Sequence, residues 1–507
     1  MPIESAFSQN RRRWIVLIAG TGMSLGLMAS LVGPVASAEQ SSSSAAMPVS
    51  EPVVAPAKKK PKPKPIRNSS FAFIGEVVPF ESDLDDDGGG GVASNALADP
   101  VVGRLGDGTY IMLALRGTRS KPYVAWRSKD LVTWERYAEY DCAVAEPVEG
   151  PCQGRLIGFQ SMEDGRLRVF FLVYGPQVIR SAVTADGVTW EQEWDVKLSG
   201  SDFPEMEYLE TGYITQMPDG SYRMYITALD CEALNLRGRP NCSDFEPDPD
   251  PFVPMPSQRL AHTYLSASSP DGVTWTPDPG VRWQASKRNG SLQRIGAWTT
   301  PAGKVQIISN DTSMHKLDKA SFITLESDDG LTFRKVSDQQ ILMADPHFVT
   351  DPDGRTVIFS SGMGPESRGG ILRWEIARTT WVANDAKLTG LGGDAATYAT
   401  YACFSIRVRG TGRLLIDVKG DNMIWDDRGF ADPRLYRLSA RKLKAPGVIR
   451  IQLTQEDQGN PANVGRPDFP RYVTITEAKT GVIRVIPLFW GPGSPSELKP
   501  CFGKRKG

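Results

Sequence analysis

Histidine is nearly absent from this chain of 507 residues: there are only 3, His262, His315 and His347, and no two stand at H-x-x-x-H spacing. A catalytic zinc held by a paired-histidine motif is therefore not expected. Charge of one sign is missing as well, since 58 Lys and Arg oppose 59 Asp and Glu for a formal net charge of -1. That balance removes any global electrostatic case for a nucleic-acid partner. Cysteine is sparse, with 6 in all. None precedes Cys142, so a lipoprotein anchor is not expected, and the absence of any C-x-x-C pair argues against a structural zinc or a thioredoxin-like role.

What is present begins with an N-terminal export pattern. Arg11, Arg12 and Arg13 precede an apolar run from Trp14 to Val32, and Ala36-Ser37-Ala38 forms an A-x-A cleavage site. Residues 1–38 therefore read as a signal peptide, with an uncleaved membrane anchor as the alternative because the apolar run is long. The expected location is secreted or extracytoplasmic. Even cysteine usage behind such a leader predicts three disulfides, pairing Cys142 with Cys152, Cys231 with Cys242, and Cys403 with Cys501. Residues 39–68, rich in Ser, Ala and Pro and ending in Lys58-Lys59-Lys60-Pro61-Lys62-Pro63-Lys64-Pro65, read as an extended spacer. Its positive charge makes a membrane or cell-wall tether a further possibility beside a plain solvated linker.

Self-similarity dominates the rest. A turn motif recurs as SKDLVTW (Ser128 to Trp134), TADGVTW (Thr184 to Trp190), SPDGVTW (Ser269 to Trp275) and SDDGLTF (Ser327 to Phe333), with a degraded fifth copy ending at Thr380-Trp381. In each copy Asp can accept local backbone hydrogen bonds, Gly supplies a positive φ, and the aromatic anchors the next strand. A second turn precedes each copy, at Asp107-Gly108, Asp164-Gly165, Asp219-Gly220, Ala302-Gly303 and Asp353-Gly354. Two hairpin turns per unit, repeated at a spacing of about fifty residues, predict five four-stranded blades. The fold class expected is all-β: a five-bladed β-propeller over residues 69–385, followed by a β-sandwich over 386–507. Within blade three, Cys231 to about Pro256 is an Asp- and Pro-rich insertion between the second and third strands.

The first strand of each blade lines a propeller's axis. Counting back eight or nine residues from each first turn brings Asp99, Arg155, Glu210, Arg294 and Asp345 to one funnel, with Arg155 and Glu210 one residue out of step. Opposed carboxylates across a polar cleft suit glycoside hydrolysis, one protonating the leaving oxygen and the other activating water or attacking directly. Arginines nearby can keep one carboxylate ionised. Asp99-Pro100 and Asp345-Pro346 share one pattern, and His347 shares the inward face of Asp345, as a sugar contact, a metal ligand or a core histidine. The bland reading of the same residues is a sealed channel in which Arg155 and Arg294 neutralise the acids.

The D-P pattern opening blade one, the Asp-Gly hairpins and the closing SKDLVTW or SPDGVTW turns together resemble the five-bladed furanosidase-type glycoside hydrolases of families 43, 32 and 62, over about residues 95–381. The resemblance implies a general base at Asp99 and a general acid at Glu210. Family 43 has a third acid in blade two; here Arg155 holds that register and Glu149 is the nearest acid. No Trp-Met-Asn-Asp-Pro-Asn-Gly stretch occurs, which disfavours a fructan-cleaving enzyme of the family 32 type. A sialidase is disfavoured too, because it needs three axial arginines where two are found.

Asp83-Leu84-Asp85-Asp86-Asp87-Gly88 opens like a calcium loop but has Ser94 at the position where a loop of that kind carries Glu. No cofactor is required by this reading, and calcium stays possible. The function expected is an exported glycoside hydrolase with Asp99, Glu210 and Asp345 as its acids, Arg155, Arg294 and His347 shaping the sugar site, and a carbohydrate polymer or oligosaccharide as partner. The alternative is a non-catalytic propeller binding glycan or protein at the cell envelope.

Overall fold

The computed structural model describes residues 68–79, 97–116, 123–140, 154–173, 176–203, 208–229, 262–284, 292–311, 321–339, 343–361, 364–365, 367, 369–394, 399–420, 436–456, 471–488 and 501–502. Five antiparallel sheets follow from the two repeated turns. Blade one is Leu97–Arg104, Tyr110–Arg116, Tyr123–Ser128 and Glu135–Tyr140; blade two is Arg155–Ser161, Leu167–Val173, Val178–Thr184 and Glu191–Ser199. Blade three is Tyr208–Gln216, Tyr222–Leu229 and His262–Ser269, finished by two short outer pieces, Thr276–Pro277 and Trp283–Gln284. Leu292–Thr299, Val305–Asp311, Ser321–Ser327 and Arg334–Gln339 make blade four. The one helical piece among the described residues is a 3-10 turn at Gly200–Asp202, capped by Ser199.

Blade five departs from the tandem order. Its inner three strands are Ala344–Thr350, Thr356–Ser361 and Ile371–Thr379, but its outer strand is Asn68–Val78, from the start of the described chain, paired antiparallel to Ile371–Thr379. The expected fifth closing turn at Thr380-Trp381 is thus no blade turn. Trp381 instead opens the first strand of the next unit. The distant N-terminal segment thus supplies the ladder partner that Ile371–Thr379 would otherwise lack on its outer side.

The turn motif does more than reverse the chain. Asp130 Oδ1 accepts from the amides of Val132 and Thr133, and Asp186, Asp271 and Asp329 repeat this with their own pairs at 2.8–3.0 Å. Hydrogen bonding of this kind holds the Asp130, Asp186, Asp271 and Asp329 carboxyls below the ordinary carboxylate range. Gly187, Gly272 and Gly330 sit at φ 78°, 73° and 71°, and Leu131 takes φ 61° in the copy that lacks glycine. The aromatics reach the preceding blade: Trp134 meets Phe359 edge-on at 5.5 Å, Trp275 meets Phe170 at 5.6 Å, and Phe333 meets Tyr225 at 5.7 Å. Across the same seams Gln160 donates to Asp271 O and Arg223 to Asp329 O. Each copy is a staple between neighbouring blades, where the sequence suggested an anchor for its own next strand.

From Trp381 the chain forms a second β unit. Phe404 to Val408 and Arg413 to Val418, two alternating runs separated by Gly410 and Gly412, are parts of one strand, Ala399–Lys419. It bends between Gly410 (φ 92°) and Gly412 (φ 139°), where a Cβ on Gly410 would stand 2.3 Å from Thr380 O. Before the bend it pairs with Lys387–Asp394, after it with Arg471–Glu477, and Lys442–Glu456 flanks both halves. The two halves enclose a core of Trp381, Phe404, Ile406, Ile449, Ile451, Ile475 and Ile486, the arrangement of a β-sandwich. Cys403 and Cys501 are disulfide-bonded with Cα atoms 5.4 Å apart. Cys142, Cys152, Cys231 and Cys242, together with the leader, the spacer as far as Arg67 and the Asp83–Gly88 loop, lie outside the described residues, while Asn68 opens the outer strand of blade five.

Candidate active site

Five equivalent turns fix where the axial residues stand. The amides of Leu105, Met162, Met217, Thr300 and Asp351 each donate to the carbonyl four residues on, at 2.7–2.9 Å. Four residues before these anchors the inner strands carry Val101, Gly158, Tyr213, Gly296 and His347, which makes them one layer across the axis. Two aromatic side chains fill it, and the glycines make room. A Cβ on Gly296 would stand 2.5 Å from Pro346 O, and one on Gly158 would stand 2.8 Å from Ile214 Cγ2.

Tyr213 spans the axis from blade three to blade five. Its hydroxyl donates to Phe348 O at 3.1 Å and accepts from Phe348 N at 2.6 Å, and its ring lies 5.0 Å from that of His347. His347 is buried (5% exposed) and its Nε2 lies 3.0 Å from Val102 O. A carbonyl only accepts, so Nε2 carries the proton. Burial pushes the imidazole pKa down to about 4, hence the ring is neutral at physiological pH. Tyr213 and His347 thus floor the funnel, and the sequence had singled out only the second of them.

Above this floor every inner strand takes up one extra residue. The irregularities fall between Ala98 and Val101, Leu156 and Gly158, Leu209 and Thr211, Leu292 and Ile295, and Ala344 and His347. Bulges re-aim side chains and bend the strand. Their placement differs between blades: the extra residue is Ile157 in blade two and Glu210 in blade three, and falls at Asp99 and Pro100, Gln293 and Arg294, and Asp345 and Pro346 in blades one, four and five.

At the blade-one and blade-five bulges Asp99 and Asp345 adopt φ 49° and 51°, a left-handed conformation that costs a non-glycine residue roughly 1–3 kcal/mol. Pro100 and Pro346 follow, and a residue without an amide proton suits a place where the ladder is interrupted. The two carboxylates converge on one guanidinium: Arg155 Nη2 lies 3.0 Å from Asp99 Oδ1 and 3.6 Å from Asp345 Oδ1. Side-chain exposures of 20% for Arg155, 15% for Asp99 and 9% for Asp345 mean that the cluster is largely withdrawn from water. Asp99, Arg155, Asp345 and His347, with Ile157, Thr211 and Tyr213, line one axial cavity of about 30 Å³. Room for little more than one water remains at this depth, so a ligand can place only a small group, such as a hydroxyl, against the floor.

The backbones of Glu210 and Arg294 lie on the inner strands of blades three and four, Glu210 within the blade-three bulge. Their side chains, and Glu149, Glu205 and Glu207 altogether, lie outside what the structure describes. Among the described residues no group of three His, Cys, Asp or Glu is placed to hold a metal ion.

No family model and no curated protein matches the chain. The chain is similar to a family 117 glycoside hydrolase from the marine bacterium Zobellia galactanivorans at 12% identity, covering 61% of this chain and 90% of that one, TM-score 0.40. An exo-beta-1,3-galactanase from Phanerochaete chrysosporium is similar at 9% identity, with 83% and 93% covered and TM-score 0.40. Sucrose-6-phosphate hydrolase from Lactobacillus gasseri is similar at 10% identity, with 83% and 88% covered and TM-score 0.44.

Proposed function

We propose that this chain is an exported glycoside hydrolase that acts on a polysaccharide by a carboxylate acid/base mechanism at the propeller axis. One observation carries the reading: Asp99 and Asp345 are held at matched positive φ on bulges of two adjacent blades, side by side at one cavity. Backbone strain repeated at two positions is explained by a requirement for carboxylates there, since a filled channel could be built without it. In this reading Glu210 donates its proton to the glycosidic oxygen as the bond to the anomeric carbon breaks. Asp99 supplies the second carboxylate, either taking a proton from an attacking water or attacking directly. Arg155 pairs with both aspartates, and Asp345 and His347 orient the sugar. Residues 1–38 direct export and residues 39–68 space the propeller from the envelope.

The test is release of product by residues 39–507 from arabinan, arabinoxylan, arabinogalactan, fructan and sialoglycan, with Asp99→Asn and Glu210→Gln alongside. Release abolished in both folded variants supports the assignment. Release unchanged in either discards it.

The ion pair between Arg155 and Asp99 favours a second reading. At 3.0 Å it engages the carboxylate that hydrolysis would need as its base. A non-catalytic propeller that binds glycan or protein would retain binding to one of the polymers without releasing product.

A further inference from the structure

The strained aspartates of blades one and five are joined by a residue with no counterpart in the repeated sequence motifs. Ser361 ends the second strand of blade five and is buried (6% exposed). Its Oγ accepts the amide proton of Asp99 at 3.1 Å and lies 3.2 Å from Asp345 Oδ2, to which it donates its own proton. A hydroxyl has one proton to give, and a backbone amide can only donate, so the direction of this chain is determined: Asp99 N–H to Ser361 Oγ, then Ser361 O–H to Asp345.

Both ends of the chain are points where the sheet cannot serve itself. Asp99 falls inside the bulge between Ala98 and Val101, where ladder pairing with Tyr110–Arg116 is interrupted. Ser361 makes good that interruption from the neighbouring blade. Asp345, the acceptor, falls inside the equivalent bulge, between Ala344 and His347, and Ala344 pairs with Ser361 itself. Shifting either bulge by one residue would turn a carboxylate away from Arg155.

We propose that Ser361 is a positioning residue for the axial site: one hydroxyl sets the blade-one backbone and the blade-five carboxylate together, and so fixes the geometry of both aspartates on Arg155. It touches neither substrate nor reacting atoms in this role. The inference rests on the hydrolase reading for its kinetic consequence, while its structural consequence can be read without any substrate.

The test compares the parent chain with Ser361→Ala and Ser361→Thr, the second retaining the hydroxyl. Amide hydrogen exchange over the peptide containing Asp99 is read first, because it needs no activity. Ser361→Ala is expected to accelerate exchange there by roughly tenfold, the scale of one lost hydrogen bond, and Ser361→Thr to restore protection. On the polymer that the substrate panel identifies, Ser361→Ala is expected to lower kcat about tenfold with KM little changed, again recovered by Ser361→Thr. Ser361→Cys, a weak donor of similar shape, replaces Ser361→Ala if the latter does not fold, with the same pattern at smaller amplitude. Unchanged exchange in a folded Ser361→Ala overturns the proposal, as does altered exchange with kcat intact on a good substrate. Altered exchange, restored by threonine, in a chain that hydrolyses nothing upholds the positioning role and removes the hydrolase reading alone.

Discussion

The two ends of each blade follow opposite rules. At the outer turns four near-identical motifs repeat the same bonds, with an Asp accepting two amides, a positive φ at the next residue and an aromatic laid on the preceding blade. At the axial ends the five strands differ in side chain and even in where the extra residue is placed. Repetition marks what any five-bladed ring must do, which is hold one blade to the next. Departure from repetition marks where this ring does something particular. Asp99, Arg155 and Asp345 meet only because three different strands break their ladders at suitable points.

The comparison can be broken most severely at its one exception, blade five, which lacks the closing motif and borrows Asn68–Val78 instead. Phe71 and Phe73 of that strand lie in one buried cluster with Trp374 and with Tyr472 and Val485 of the sandwich. A chain beginning at residue 80 is expected to lose cooperative unfolding and near-ultraviolet circular dichroism altogether, whereas one beginning at residue 67 should melt like the full chain. Persistence of a sharp transition in the shorter chain would show that blade five closes without its outer strand.

Next in size is the axial layer, where a buried neutral imidazole makes stability depend on pH. The folded pKa of His347, about 4, lies below the ordinary value of 6.5, so the unfolded chain binds more protons between these limits. Its contribution is complete above pH 6.5 and is lost as pH falls toward 4, on the order of 3 kcal/mol in all. Urea unfolding at pH 7 and pH 4.5 should therefore show a smaller drop for His347→Asn than for the parent chain, and an equal drop would mean that the ring is not buried neutral.

Gly296→Ala probes the same layer sterically. Its added methyl would meet the backbone oxygen of Pro346 at 2.5 Å, and a cost of about 2 kcal/mol is expected from forced backbone movement. Gly354, which meets nothing within 4 Å although its φ is 77°, offers the control: Gly354→Ala should cost only about 1 kcal/mol, through its positive φ. Smallest is the loss of one staple. Asp271→Ala removes a carboxylate that accepts from two amides in an exposed turn and should cost about 1 kcal/mol in thermal unfolding at pH 7, and progressively less as pH falls below 3.8 and through its lowered folded pKa. A larger effect of Asp271→Ala than of Gly296→Ala would reverse the ranking of rim and axis.

Much of this architecture was legible because turns are local. Asp-Gly and D-G-V-T-W sequences dictate their own geometry within a few residues, so the number of blades and the places of their turns could be read without the fold, whereas the stapling of one blade to the next could not. The origin of the last strand could not. Asn68–Val78 pairs with residues about three hundred positions away, and nothing local in either segment names its partner. The long strand Ala399–Lys419 shows the opposite hazard, since its Gly410 to Gly412 stretch looks like a turn and is a bend.

The axial site divides along the same line. Asp99 and Asp345 were visible in sequence as matched D-P openings, and Arg155 was visible by count, because registers relative to a turn are set by chain geometry. That Arg155 Nη2 serves both aspartates, that Tyr213 crosses the axis beneath them, and that Ser361 ties one bulge to the other were decided only by the closed ring. Local sequence determines the conformation of a turn through φ preferences and short-range hydrogen bonds, whereas contacts across an axis depend on five separate strands each breaking register by one residue. A bulge is a choice made against a partner strand, and the partner is known only once the sheet has formed.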